Sequence, residues 1–118
     1  HSDMPKIFVK PLTVNRAWQG KRFRTSMYDA YTTECLLKLP DISLPEPPYE
    51  VHYIFGLSTS LADWDNPIKP FQDILQKRYG FNDKDIFRAV VEKVKTLKGE
   101  EFVYFDIKSL SKSEYPII

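Results

Sequence analysis

"VHYIFGLSTSLADWDNPIKPFQDILQKRY" occupies residues 51–79. Its first eight residues place Val51, Tyr53, Phe55 and Leu57 at alternate positions, the period of a strand with one buried face. Its last fourteen place Ile68, Phe71, Leu75 and Tyr79 at i, i+3, i+7 and i+11, the stripe of an amphipathic helix. Pro67 suits the first helical turn after an Asn66 cap. Pro70 would remove one early hydrogen bond, so the regular helix can start a few residues later.

The rest of the chain is organised around this strand and helix. "KIFVKPL" (6–12) alternates weakly and predicts a first strand ending at Pro11. "TVNRAWQGKRFRTS" (13–26) has no clean period and reads as a loop. "MYDAYTTECLLKLP" (27–40) sets Met27, Tyr31, Cys35 and Leu36 near helical spacing, with Ser26 as N-cap and Pro40 as stop. "DISLPEPPYE" (41–50) holds three prolines and predicts an extended connector. "DIFRAVVEKVKT" (85–96) and "EFVYFDIKSL" (101–110) read as two strands joined through "LKGE" into a hairpin. The order β-α-β-α-β-β predicts a small α+β (small α/β) domain spanning 1–118. It would have one mixed sheet of about four strands, with two helices packed on one face.

Composition agrees with a soluble domain: 42% hydrophobic, 28% charged and 14% aromatic. No apolar run approaches the roughly 18 residues that a membrane span needs. The lone Cys35 excludes an internal disulfide. With no apolar leader visible, an intracellular, cytoplasmic setting is the expectation. His1-Ser2-Asp3, ahead of Met4, read as an expression scar. The net charge of +1 hides an asymmetry. Residues 1–26 carry six bases against one acid, and the remainder carries eleven bases against fifteen acids.

The acidic excess matters most at Asp63 and Asp65. In extended backbone, residues two apart point to one side, so this pair would converge while Trp64 points away. Convergent carboxylates repel unless a cation sits between them. Mg²⁺ suits such a pair, because it takes hard oxygen ligands, keeps several waters and is held by one or two carboxylates plus a phosphate. The simpler reading makes Asp65 or Asn66 a helix cap and Asp63 a turn residue. Lys69, four residues after Asp65, could stabilise charge on a phosphate in transition. It could equally belong to a solvated ion-pair stripe with Asp73 and Lys77. A second acidic cluster, Asp83 and Asp85, follows the helix. About 13 helical residues cover roughly 20 Å, so sequence spacing does not bring Asp83 near Asp65. The chain would have to double back through "YGFN", or the helix be shorter, or a dimer partner supply the acid.

"NRAWQGKRFR" (15–24) interleaves Arg16, Lys21, Arg22 and Arg24 with Trp18 and Phe23. Cations neutralise phosphates without reading sequence, and aromatic rings stack on unpaired bases. A solvated surface loop is the alternative. His52 falls in a strand and is expected to pack there, and the glycines are too scattered for a phosphate-binding loop.

"DWDNPIKPFQDIL" followed by "GFNDKDIF" resembles the RusA family of Holliday junction resolvases, whose motif is Asp-x-Asp-Asn, a lysine four residues on, and then an acidic turn into a strand. "PLTVNRAW" resembles the family's early Pro-x-x-Asn-Arg stretch, and the similarity spans most of residues 5–108. The resemblance implies a homodimeric endonuclease that uses Mg²⁺ (Mn²⁺ as a substitute). It would cut four-way DNA junctions by paired nicks in recombination and repair, in a bacterial or phage-infected cell. It assigns Asp63, Asp65 and Asp83 as metal ligands, Lys69 as the catalytic lysine, Asn66 as the residue orienting the acidic pair, and Asn15 and Arg16 as positions near DNA. Lys21, Arg22 and Arg24 join these as candidate phosphate contacts. The turn reads Asn82-Asp83-Lys84-Asp85, so both Asp83 and Asp85 are candidates for the third ligand. The alternatives are a non-catalytic DNA-binding protein, or a nuclease for flap or duplex DNA.

Overall fold

The computed structural model describes residues 5–12, 18–19, 23–24, 26–58 and 67–110, with backbone alone at 18–19 and 23–24. The elements in chain order are β1 (Lys6–Ile7), β2 (Trp18–Gln19), β3 (Phe23–Arg24), α1 (Ser26–Lys38), β4 (Tyr49–Leu57), α2 (Ile68–Tyr79), β5 (Ile86–Lys95) and β6 (Phe102–Ser109). A short 3₁₀ turn, Asp83–Asp85, leads into β5. The main sheet has the order β1-β6-β4-β5, and β2 pairs with β3 as a separate ribbon. An α+β domain with a four-stranded mixed sheet and two helices therefore matches the expected class.

β4 is the centre of the sheet because its alternation is the cleanest in the chain. Val51, Tyr53 and Phe55 are fully buried, and Tyr49 and Leu57 nearly so. β6 buries Val103, Phe105 and Ile107 on the same face. Both helices lie on that face and share one core: α1 contributes Tyr28, Tyr31 and Cys35, and α2 contributes Phe71, Ile74 and Leu75. Phe71 is the focus, with its ring 5.7 Å from Tyr53, 5.9 Å from Phe55 and 5.8 Å from Phe105 in edge-on contacts. Such pairs add to the stabilisation from area burial alone.

The expected hairpin of the last two strands does not form. β5 pairs with β4 in parallel, from Tyr49↔Ile86 to Leu57↔Lys95, while β6 runs antiparallel on β4's other side. The reason is burial. β4 is apolar enough to need a strand on each flank, whereas β5 is at best half-buried along its length and suits an edge. The 96–101 link therefore crosses the end of β4, where the Thr96 amide donates to the Leu57 carbonyl at 2.8 Å. There Phe102 lies flat across Gly56; a Cβ on Gly56 would stand 2.3 Å from that ring.

Other boundaries shift for local reasons. β1 is only two residues long, although Val9 and Leu12 beyond it are still buried. The segment expected as a loop holds the β2–β3 ribbon, with Trp18 opposite Arg24. The buried stripe of α1 starts at Tyr28, not Met27, which is exposed. α2 begins at Ile68, with Pro67 at the N-cap position and no side-chain cap. Pro70 is tolerated because first-turn amides have no intrahelical acceptor. Gly80 closes α2 at φ 77°, donating its amide to the Gln76 carbonyl, in a conformation costly for other residues.

Phe71→Ala removes the ring on which three aromatic side chains, Tyr53, Phe55 and Phe105, converge. The expected loss is about 3–5 kcal/mol, read as a lowered midpoint in chemical denaturation. A loss below about 1 kcal/mol would show that α2 is not held by this contact.

Candidate functional site

α2 runs antiparallel over β4. Its first turn packs Phe71 on Phe55, and the segment after it packs Phe81 on Tyr49 at 5.9 Å. Because β4 and β5 are parallel, the two ends of the sheet carry different groups. One end holds Leu57, Ser58, Lys95 and the start of α2 with Lys69. The opposite end holds Tyr49, Ile86 and the turn Asp83–Asp85.

Lys69 is 65% exposed at its side chain, and its Nζ lies 3.3 Å from both carboxylate oxygens of Asp73. This is the i,i+4 pair expected of a solvated stripe. At about 0.3–0.5 kcal/mol such a pair yields readily to a phosphate. Asp83 is exposed and Asp85 half-buried, in a turn whose Asn82 Oδ1 accepts the Lys84 amide at 3.0 Å. α2 keeps twelve residues and the chain passes straight on through Phe81. Lys69 and Asp83 are thus separated by most of a helix of roughly 18 Å, and the chain does not bring them together. Asp63, Asp65, Asn66, Asn15, Arg16, Lys21 and Arg22 lie outside the described residues. Arg24 is placed by its backbone in β3. Among the described residues, no three His, Cys, Asp or Glu side chains form a metal-holding group.

The carboxylate at the Lys69 end is one that sequence reasoning passed over. Glu101 is 9% exposed, accepts a hydrogen bond from Ser58 Oγ at 2.7 Å, and accepts another from the Gly99 amide at 3.0 Å. The Ser58 hydroxyl first, and then backbone amides, hold its carboxyl below the usual glutamate range. It ties β4's outgoing end to the start of β6, immediately before the stretch that carries Asp63 and Asp65 in sequence. The only sequence cue was an acidic pair, Glu100-Glu101, after a turn, which looks like ordinary solvated surface.

His52 is not packed in the core as expected. It faces the helix-free side of the sheet, with Nε2 2.7 Å from Glu92 Oε2. On the same face Glu50 lies 3.9 Å from Arg88 and 3.7 Å from Lys108. Acids and bases balance there, so this face is no cationic platform for a phosphate backbone. A pocket of about 250 Å³ between residues 10–12 and α1, lined by Met27, Tyr31 and Glu34, falls below the roughly 300 Å³ of ordinary ligand sites. No described helix is long and apolar enough to cross a membrane.

Compared with known proteins, the chain matches no family model and no curated sequence. The functional reading therefore stands on its residues.

Glu101→Gln removes a carboxylate that folding stabilises in its charged form. A depressed folded pKa contributes stability above the ordinary glutamate value, and that contribution is lost as pH falls through the folded one. Glu101→Gln should therefore melt below wild type at neutral pH, with the gap closing as the solution is acidified. A gap independent of pH would show that the Glu101 charge does not matter.

Proposed function

We propose that this chain is a Mg²⁺-dependent endodeoxyribonuclease of RusA type, acting on four-way junctions and related branched DNA. One observation carries the reading. In sequence, Asp63-Trp64-Asp65-Asn66 lies between β4, whose carboxyl end it follows, and α2, which carries Lys69 four residues after Asp65. Open α/β sheets take their ligands at that end.

In this reading Asp63 and Asp65 hold the divalent ion, and two carboxylates suffice for Mg²⁺. When bound, the ion supplies an activated water and offsets charge on the scissile phosphate. Asn66 orients the acidic pair. Lys69 leaves its weak pairing with Asp73 and turns its ammonium to the phosphate or the leaving oxygen. Asp83, with Asp85 beside it, is the further acid, and α2 keeps it away from Lys69 of its own subunit. Asn15, Arg16, Lys21, Arg22 and Arg24 grip the backbone by charge. A homodimer follows because a four-way junction has two-fold symmetry and paired nicks need two sites. The setting is the cytoplasm of a bacterial or phage-infected cell.

A second reading has specific support. The Lys69–Asp73 pair and the Asn82-capped turn give Lys69 and the Asp83 turn structural roles that need no catalysis, which leaves a non-catalytic DNA-binding module as the alternative. A nuclease for flap or duplex DNA is the third. Asp63→Asn and Asp65→Asn should each lower junction cleavage at least ~10²-fold in Mg²⁺ or Mn²⁺ while leaving junction affinity intact. Wild-type cleavage by either variant overturns the site. Tight binding by the wild type, with no cleavage in either metal, selects the binding module. Equal cutting of junction, flap and linear DNA selects the broader nuclease.

Lys21→Ala and Arg22→Ala should weaken binding to all DNA forms alike, each reducing the slope of log affinity against log salt by about 1. An unchanged slope removes those residues from the interface.

A further inference from the structure

The helix-free face of the sheet divides in two. Toward the start of β4 it carries the paired charges around Glu50 and His52. Toward the end of β4 it is aromatic. Phe102 and Tyr104 stand two apart on β6, opposite Gly56 and Ile54 of β4, so their side chains share this face. Both are half-buried, and their rings meet edge-on at 5.6 Å. On the neighbouring strand β1, Lys6 stands opposite Tyr104, and just beyond β1 comes Phe8, 60% exposed. The Lys6 ammonium lies 4.5 Å from the Phe102 ring centre, 4.9 Å from that of Phe8 and 5.4 Å from that of Tyr104. Phe102 lies flat over Gly56, which has no Cβ to lift it. One broad side of this ring therefore rests on the sheet and the other turns outward.

We propose that this corner of the sheet binds unpaired bases of single-stranded DNA, stacked on Phe102, Tyr104 and Phe8, with Lys6 on an adjoining phosphate. Three rings around one cation select the occupant. A quaternary ammonium would suit the rings alone, but Lys6 already fills that seat with the same charge. An apolar protein segment would bury the ammonium without a counter-charge, which is costly. A nucleotide meets both demands, because its base is a flat ring and its phosphate is an anion. A base stacked on an aromatic side chain gains more than an exposed cation–π contact does. The base therefore displaces the ammonium from the rings, and the ammonium turns to the phosphate of the same strand.

This site needs neither a metal ion nor the acids between β4 and α2. Only the choice of DNA over RNA rests on the function proposed above. Acids and bases offset each other on the rest of the face, so stacking supplies the affinity and Lys6 a single phosphate contact. That combination predicts a shallow salt dependence. One phosphate contact on a single strand gives a slope of log affinity against log salt of about −0.7. Duplex DNA keeps its bases stacked on one another and offers these rings nothing to hold.

Fluorescence anisotropy of the full chain in EDTA tests this, with a labelled oligothymidylate of about ten nucleotides and a duplex of the same length. Phe102→Leu and Tyr104→Leu should each weaken single-strand binding at least ~5-fold and leave duplex binding within about twofold. Tyr104→Phe and Tyr104→Trp keep a ring and should retain the affinity. Lys6→Gln should reduce the salt slope by about 0.7. Phe87→Leu, at an aromatic side chain 57% exposed on β5, should change nothing. Circular dichroism melts separate these effects from loss of fold, and Phe8→Leu, at a side chain too exposed to support the core, carries the test if Phe102→Leu does not fold. Wild-type single-strand affinity in all the leucine variants, an equal loss of duplex binding, or an equal loss from Phe87→Leu overturns the site. So does displacement of the strand by tetramethylammonium beyond that caused by sodium at equal ionic strength, or a dimer that Phe102→Leu disperses; these would give the rings to a quaternary ammonium or to a second copy. An oligouridylate should bind no tighter than the oligothymidylate, and tighter binding overturns the choice of DNA. Ring-dependent binding by protein that cuts no DNA leaves this site standing and removes the nuclease. Junction cleavage without single-strand binding does the reverse.

Discussion

The burial of Phe71 against Tyr53, Phe55 and Phe105 is the constraint from which the rest of the architecture follows. It lays α2 lengthwise over β4. A helix so placed returns the chain to the end where β4 began, and the next strand can only run parallel to it. β6 then has to cross to β4's far side, because β4's other flank is taken. The sheet order, the exposure of β5 and the separation of Lys69 from Asp83 all descend from that packing.

Legibility in the sequence varied with how local the determining physics is. β4 was readable to within two residues because alternation is enforced by one buried face. α2 was readable because its apolar stripe persists over three turns. The pairing of β5 with β6 was misread for the same reason in reverse. A short turn between two β-rich runs is a local signal, while the choice of neighbour is made by β4's need for two flanks, which is not local. Met27 and Tyr28 differ by one step around a helix, and only the position of the sheet decides which is buried.

The site divides along the same line. Asp63, Asp65 and Lys69 stand out because they are close in sequence and match a spacing with chemical meaning. Glu101 does not, because its partners Ser58 and Gly99 reach it from the two sides of a crossover, 43 residues away in the case of Ser58. The separation of Asp83 from Lys69 was visible from arithmetic alone: α2 keeps its twelve residues, so covalent order places the two at opposite ends of the sheet.

One consequence follows from the parallel alignment of β4 and β5. Both strands finish at the same end of the sheet, so the connections that leave them start side by side and are clasped there by Glu101 on Ser58 and by the Thr96 amide on Leu57. A change in the length of either connection would therefore be transmitted to the other.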